Sequence, residues 1–199
     1  KNNMKVKVCG VTRENDIEAL LSVDIDYIGF NFIKSSPRKV SVDWALNMSR
    51  KYNLQDKFTC LFKNPTVDDI AKILDTNEQS NFQLYGNYQK PEKSMCFEPL
   101  SATNLQQNDL LQIKPIRNTI FLLDNMAGTL GGSGNKFDWS ILDNVNLSNF
   151  MIAGGVGVED LDYLSTLQIF GVDLNSKIEI SPGIKDLKKL KLLEQFRYE

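Results

Sequence analysis

Short runs of β-branched and aromatic residues recur along the chain, separated by longer stretches in which apolar residues return every three or four positions. The runs cover 5–9, 27–32, 58–62, 82–85, 94–98, 119–124, 149–153 and 170–174. A strand period alternating with a helix period is the mark of βα repetition and a parallel sheet, because each crossover between parallel strands must carry the chain back along the sheet. Eight such units predict a closed barrel, a single (β/α)8 TIM barrel of the α/β class spanning residues 1–199 as one domain.

Helix starts are marked between the strands. Asn15 with Glu18 three residues on, Ser41, and Thr66 with Asp69 three residues on are N-cap patterns preceding Ile17-Leu20-Leu21, Trp44-Ala45-Met48 and Ile70-Ile73-Leu74. A last helix is predicted from about 184 to 196, with Ile184, Leu187, Leu190 and Leu193 near one stripe and Lys185, Lys188, Lys189 and Lys191 on a solvated face. The region 87–118 breaks the rhythm. A strand at 112–116 would leave only Arg117 and Asn118 before the next strand, too few for a crossover, so the fifth strand falls at 94–98 and a helix follows over 102–111. The outer helix between strands four and five is then missing or much reduced.

Composition narrows the possible chemistry. The chain of 199 residues carries 42% hydrophobic and 24% charged residues with a net charge of −2, a balance typical of soluble globular domains that offers no broad basic field for nucleic acid. No apolar run approaches the length needed to span a bilayer, and the first residues show no apolar leader, so a cytoplasmic location and no membrane partner are expected. Cys9, Cys60 and Cys96 are odd in number and widely spaced, which predicts reduced thiols and neither a disulfide framework nor a zinc site. The absence of histidine removes imidazole as a base and the commonest ligand of transition metals. A general base must then be a thiolate, a carboxylate, a lysine or a tyrosine.

In such barrels the chemistry gathers where strands end. Cys9 ends the first strand and can act as a base if a nearby positive charge favours its thiolate, whereas Cys60 and Cys96 read as small buried hydrophobes. Asp124 ends the sixth strand after Ile120-Phe121-Leu122-Leu123, where partial burial would raise its pKa toward that of a proton donor. Gly131-Gly132-Ser133-Gly134, Gly154-Gly155 and Ser176 follow strands six, seven and eight, the region in which barrels hold phosphate with backbone N–H groups; Ser181-Pro182-Gly183 could close a short extra helix there. No P-loop and no dinucleotide-binding glycine pattern is present. Arg38, in the loop after strand two, offers a planar fork for a carboxylate.

Taken in order, KVCGVT, IGFNFIKSSPRKVS, NFQLYG, FLLDN with GGSGNKFDWS, MIAGGV and GVDLNSKIEISPGIKD resemble the motifs of the phosphoribosylanthranilate isomerase family of tryptophan biosynthesis, from about Lys5 to the last helix. The resemblance implies a cofactor-free and metal-free isomerase acting on a small phosphorylated substrate. It converts N-(5′-phosphoribosyl)anthranilate to 1-(o-carboxyphenylamino)-1-deoxyribulose 5-phosphate by an Amadori rearrangement. It also implies Cys9 as general base, Asp124 as general acid, Arg38 as holder of the anthranilate carboxylate, and Gly132, Gly154, Gly155, Asp173 and Ser176 as substrate-binding positions. Three residues depart from the family pattern: Tyr85 stands for a histidine, and Asn175 and Lys177 for a serine and a glycine. A monomer or weak homodimer is expected.

Two alternatives accompany this reading. A related phosphosugar barrel of the histidine pathway would place an aspartate at the position of Cys9, and indoleglycerol-phosphate synthase would need a strand-borne Lys and Glu pair. A barrel that binds a phosphorylated ligand without turnover is the non-enzymatic alternative, supported only by the altered loop at Asn175 and Lys177.

Overall fold

A computed structural model of the chain describes residues 3–125 and 134–198. Eight parallel strands close into a barrel in the order of the sequence. They are β1 (Lys5–Val8), β2 (Tyr27–Asn31), β3 (Phe58–Lys63), β4 (Asn81–Tyr85), β5 (Cys96–Ser101), β6 (Thr119–Asp124), β7 (Asn146–Ile152) and β8 (Gln168–Leu174). Closure comes from β1 pairing with β8, with Lys5 opposite Gly171 and Lys7 opposite Asp173. At Gly171 a Cβ would lie 2.3 Å from the Lys5 carbonyl oxygen, so only glycine lets the seam close.

Side chains alternate across each strand, and here both faces are buried. Outward positions such as Val6, Val8, Ile28, Phe30, Phe58, Cys60, Phe82, Phe121, Leu123, Val172 and Leu174 join the large core between the sheet and its helices. Inward positions form a smaller cluster of Phe97, Ile120, Leu122, Met151 and Ala153, packed with Tyr27, Met95 and Phe170. The same parity turns Lys7 and Cys9, Gln83 and Tyr85, Asp124, and Asp173 toward the barrel axis, in each case at or near the C-terminal end of the strand. The apolar cluster fills the lower barrel and the polar groups occupy its mouth.

The outer layer is uneven. Helices α1 (Glu14–Ser22), α2 (Val42–Lys51) and α3 (Val67–Thr76) follow the first three strands, α4 (Gln107–Gln112) and α5 (Leu161–Leu164) are short, and α6 (Leu187–Tyr198) ends the described chain. Residues 86–95 cross from β4 to β5 without a helix, as the pattern predicts, and among the described residues between β6 and β7 the helical structure is a 3-10 turn at Trp139–Leu142. Ser41 caps α2 by accepting from Trp44 N, and Thr66 with Asp69 forms a reciprocal capping box on α3. The cap expected at Asn15 does not form: α1 starts at Glu14, behind Arg13, whose side chain makes no cap bond. The predicted helix over 102–111 shrinks to α4 because residues 102–105 form a turn, with Leu105 N bonded to the Ala102 carbonyl and Asn104 at a φ of 64°, and the helix starts only behind Gln106.

The largest difference lies after β8. Ser181-Pro182-Gly183 closes no helix; it turns a β-hairpin, β9 (Glu179–Ser181) against β10 (Ile184–Lys185), preceded by a 3-10 turn at Ser176–Ile178. Gly183 takes the positive φ of 85° that this turn requires. Ile184 and Lys185 are therefore strand residues, and α6 begins only at Leu187. Lys185, expected on a solvated face, is fully buried.

The capping box makes a stability prediction. Both of its bonds are made, Asp69 N donating to Thr66 Oγ1 at 3.1 Å and Thr66 N to Asp69 Oδ2 at 2.9 Å. Thr66→Ala removes the first and leaves an unsatisfied N–H at an exposed helix start. Urea denaturation should show a loss of about 1 kcal/mol with an unchanged m-value.

Candidate active site

A cavity of about 240 Å³ opens at the C-terminal mouth of the barrel. Cys9, Gln83, Tyr85, Asp124 and Asp173 line it together with Arg38 and with Gly134, Gly154, Gly155, Ser176 and Lys177. The cavity thus brings together Cys9, Asp124, Arg38, Gly154, Gly155, Asp173 and Ser176. Gly131, Gly132 and Ser133 lie outside the described residues.

Cys9 follows directly on β1, its N–H bonded to the Leu174 carbonyl at 3.0 Å, so the barrel seam fixes its backbone. Burial pushes its thiol pKa up; the Lys7 ammonium works against that, Asp173 adds to it, and Lys185 opposes it. Lys7 lies two residues back on the same strand and is fully buried. Its Nζ donates to Asp173 Oδ2 at 2.8 Å. Burial alone would strip Lys7 of its proton, yet Asp173 and Cys9 together hold its pKa above the ordinary lysine value. Asp173 is pushed upward by burial despite Lys7.

Asp124 is 7% exposed. Burial, then the neighbouring Asp173 charge, raises its pKa to about 6, with the Asn125 backbone N–H pulling the other way. Gly154 packs against this carboxylate: it has a φ of 83°, and a Cβ there would lie 2.7 Å from Asp124 Oδ1. Gly155, at φ 74°, would place a Cβ 2.5 Å from the Gly134 carbonyl oxygen. Both glycines are required twice over, for backbone conformation and for close approach. Their backbone lines a small cup beside Ser176 and Lys177.

Arg38 does not face the cavity as a free fork. It is 8% exposed, and Glu179 holds it in a bidentate pair, Nη2 to Oε1 at 2.6 Å and Nε to both carboxylate oxygens at 3.1 Å. Nη1 has no hydrogen bond to any described residue, and this edge remains available for a further carboxylate. Burial pulls the Lys185 pKa down, opposed by Glu179 and Cys9.

Tyr85 is buried with its hydroxyl accepting from Gln83 Nε2 at 2.8 Å, and burial holds its pKa far above the ordinary tyrosine value. It presents a neutral hydroxyl at every physiological pH. Three buried oxygens on the cavity, Gln83 Oε1, Asp124 Oδ1 and Asp173 Oδ1, have no donor among the described residues. A ligand rich in hydroxyl groups would satisfy them.

Lys7, Gln83, Glu179 and Lys185 were not among the expected site residues. Lys7 and Gln83 share inward parity with Cys9 and Tyr85, so counting by twos back from each strand end would have found them. Glu179 and Lys185 sit on the hairpin that helix periodicity concealed, and Pro182-Gly183 was its sequence signal.

Among the described residues, no helix is long and apolar enough to cross a membrane. The chain matches the family model described as N-(5′-phosphoribosyl)anthranilate (PRA) isomerase over residues 6–196. It is 35% identical to the tryptophan biosynthesis protein TrpCF of Buchnera aphidicola subsp. Acyrthosiphon pisum over 96% of its own length, but spans only 43% of that relative. It is 30% identical to an N-(5′-phosphoribosyl)anthranilate isomerase of Campylobacter jejuni, covering 94% of this chain and 96% of the other. The phosphoribosyl anthranilate isomerase of Thermotoga maritima shares the fold, with a TM-score of 0.78 at 24% identity over 98% of each chain. From the family match and the near full-length likeness to the Campylobacter protein, this chain belongs to the N-(5′-phosphoribosyl)anthranilate isomerase family.

Proposed function

We propose that the chain isomerises N-(5′-phosphoribosyl)anthranilate to 1-(o-carboxyphenylamino)-1-deoxyribulose 5-phosphate, a step of tryptophan biosynthesis. The observation that carries this reading is that Cys9 and Asp124 open on one cavity that is also lined by glycine backbone and by Arg38. A substrate carrying a phosphate, a carboxylate and a sugar between them fits that set of groups. The sugar hydroxyls would supply donors to Gln83 Oε1 and Asp173 Oδ1.

In this reading Asp124, protonated below about pH 6, gives its proton to the furanose ring oxygen as the ring opens to a Schiff base. Cys9, whose ionisation burial opposes and Lys7 and Lys185 favour, acts in its thiolate form to remove the proton on C2′ and give the enolamine, which tautomerises to the ketone. The substrate nitrogen is the electron sink, so the chemistry calls for no metal or cofactor. The backbone N–H groups at Gly154, Gly155 and Ser176 take the phosphate, with Lys177 adding a positive charge at the position where the family pattern has glycine. Asp173 pairs with Lys7 and faces the sugar. We place the protein in the cytoplasm, as one domain and as a monomer or weak homodimer; three unpaired cysteines fit a reducing compartment, and sedimentation of the purified chain reads the assembly state.

The test is direct. Purified protein should consume the fluorescence of freshly generated phosphoribosylanthranilate, and Cys9→Ala and Asp124→Asn should each lower kcat by about a hundredfold or more with the circular dichroism spectrum unchanged. Full activity in either variant removes the role assigned to that residue.

Asp124 also links stability to pH. Its folded pKa of about 6 exceeds the ordinary value of 3.8, so the fold binds this proton more tightly than the unfolded chain does. That contribution is fully present below pH 3.8 and is lost as pH rises through about 6. Asp124→Asn keeps a neutral side chain at every pH. Chemical denaturation should therefore find the variant no more stable than wild type below pH 4, and more stable by up to about 3 kcal/mol above pH 7.

A further inference from the structure

Lys185 reaches three acceptors from one buried ammonium. Its Nζ lies 2.5 Å from the Cys9 carbonyl oxygen, 3.2 Å from Asn175 Oδ1 and 3.2 Å from Glu179 Oε2. Three donors are the inventory of a protonated lysine and exceed that of a neutral amine, so the group carries its charge. Glu179, whose side chain is 3% exposed, is the carboxylate that grips Arg38, and it also accepts from Gly183 N at 2.8 Å. Side chains from the loop after β2, the end of β8 and the hairpin thus meet around the backbone of Cys9 and Gly10. A Cβ on Gly10 would lie 2.4 Å from Arg38 Cδ and 2.9 Å from Asn175 Oδ1, which explains why glycine follows Cys9. Asn175, where the family pattern has serine, uses its longer side chain to reach Lys185.

Anchoring the hairpin does not account for this lysine. Backbone groups of the hairpin and the residues flanking it already do that: Gly183 O accepts from Thr12 Oγ1 at 2.5 Å, Lys185 N donates to Asp16 Oδ2 at 3.1 Å, and Asp186 N to Ile178 O at 2.8 Å. A buried ammonium is a costly way to repeat that task. Its effect on charge is different. Arg38 and Lys185 are two cations sharing one anion, Glu179, and a net positive charge remains beside the open edge of Arg38.

We propose that Lys185 is a positioning residue of the isomerase. One ammonium fixes the backbone of Cys9 and, through Glu179, the guanidinium of Arg38, so that the base and the carboxylate anchor hold a set spacing. The ammonium itself favours the Cys9 thiolate, and the surplus charge it leaves beside Arg38 attracts the substrate carboxylate. This rests on the isomerase reading given above.

The experiment pairs steady-state kinetics with brief alkylation of Cys9 by iodoacetamide across pH 7–12, each cysteine being resolved by peptide mapping. Lys7 faces Cys9 from its own strand, Asp173 from β8 and Lys185 from the hairpin, with Tyr85 of β4 and Asp124 of β6 further across the cavity. Lys185→Met leaves Arg38 and Glu179 as a neutral pair. It should raise KM about tenfold and move the alkylation midpoint up by about one pH unit. Adding Glu179→Gln to that variant restores the surplus charge, and should return KM to within about threefold of wild type while the raised midpoint persists. A purely structural strap predicts the opposite, the double variant being worse than the single. Wild-type KM and midpoint in Lys185→Met overturn the proposal; if that single variant does not fold, a wild-type midpoint in the double variant overturns it. Wild-type protein without isomerase turnover would instead defeat the functional reading, and the alkylation arm would then still decide whether Lys185 acts on Cys9.

Discussion

A charge withdrawn from water must be met by a partner inside the protein, and the mouth of this barrel is arranged around two lysines that have no exposure at all. Lys7 is met by Asp173, its register partner across the β1–β8 seam, so the same pairing that closes the barrel places the counter-ion. Lys185 is met by Glu179, Asn175 and a main-chain carbonyl. Neither pair is isolated, since Cys9 lies between the two ammonium groups and responds to both. Burial opposes ionisation of the thiol and of Asp124 alike, and the lysines decide how far that opposition goes.

The same burial divides the work between the two groups that would move protons. Asp124 is raised by burial and by the Asp173 charge and keeps its proton to about pH 6, whereas Lys7 and Lys185 oppose the rise that burial and Asp173 give Cys9. On the proposed mechanism, one desolvated pocket supplies both acid and base without an imidazole. Tyr85, standing where the family pattern has histidine, extends this arrangement, because a hydroxyl held far above its ordinary pKa contributes polarity and no titration.

Much of this was legible in the sequence because period-two patterning and strand ends are local properties. The eight strands, the absent helix over 86–95 and the meeting of Cys9 with Asp124 all follow from runs such as Ile120–Leu123 and from where they stop. What stayed hidden depends on tertiary partners. Lys185 falls off the apolar stripe of Ile184, Leu187, Leu190 and Leu193, so amphipathic spacing assigned it to a solvated helix face; the bond its backbone N–H donates to Asp16 and the turn at Pro182-Gly183 bring it inward. Arg38 was recognised as a fork for a carboxylate, but nothing local announces that Glu179, 141 residues later, already occupies its Nε–Nη2 edge. Asn15 shows the reverse error, a cap pattern without the geometry, because Arg13 and Asp16 form an ion pair across the first turn instead.

The contact between Lys185 and Cys9 joins residues 176 positions apart. On a ribosome, β1 and its thiol emerge long before the hairpin that shelters them, and closure of the seam waits for β8 in the same way. Through most of synthesis Cys9 is therefore an accessible thiol on an unpaired strand edge, its cationic neighbours not yet assembled. The order in which the chain is made leaves oxidative damage and non-native pairing their widest opening before the site exists, and makes rapid docking of the last strand a requirement for obtaining reduced enzyme.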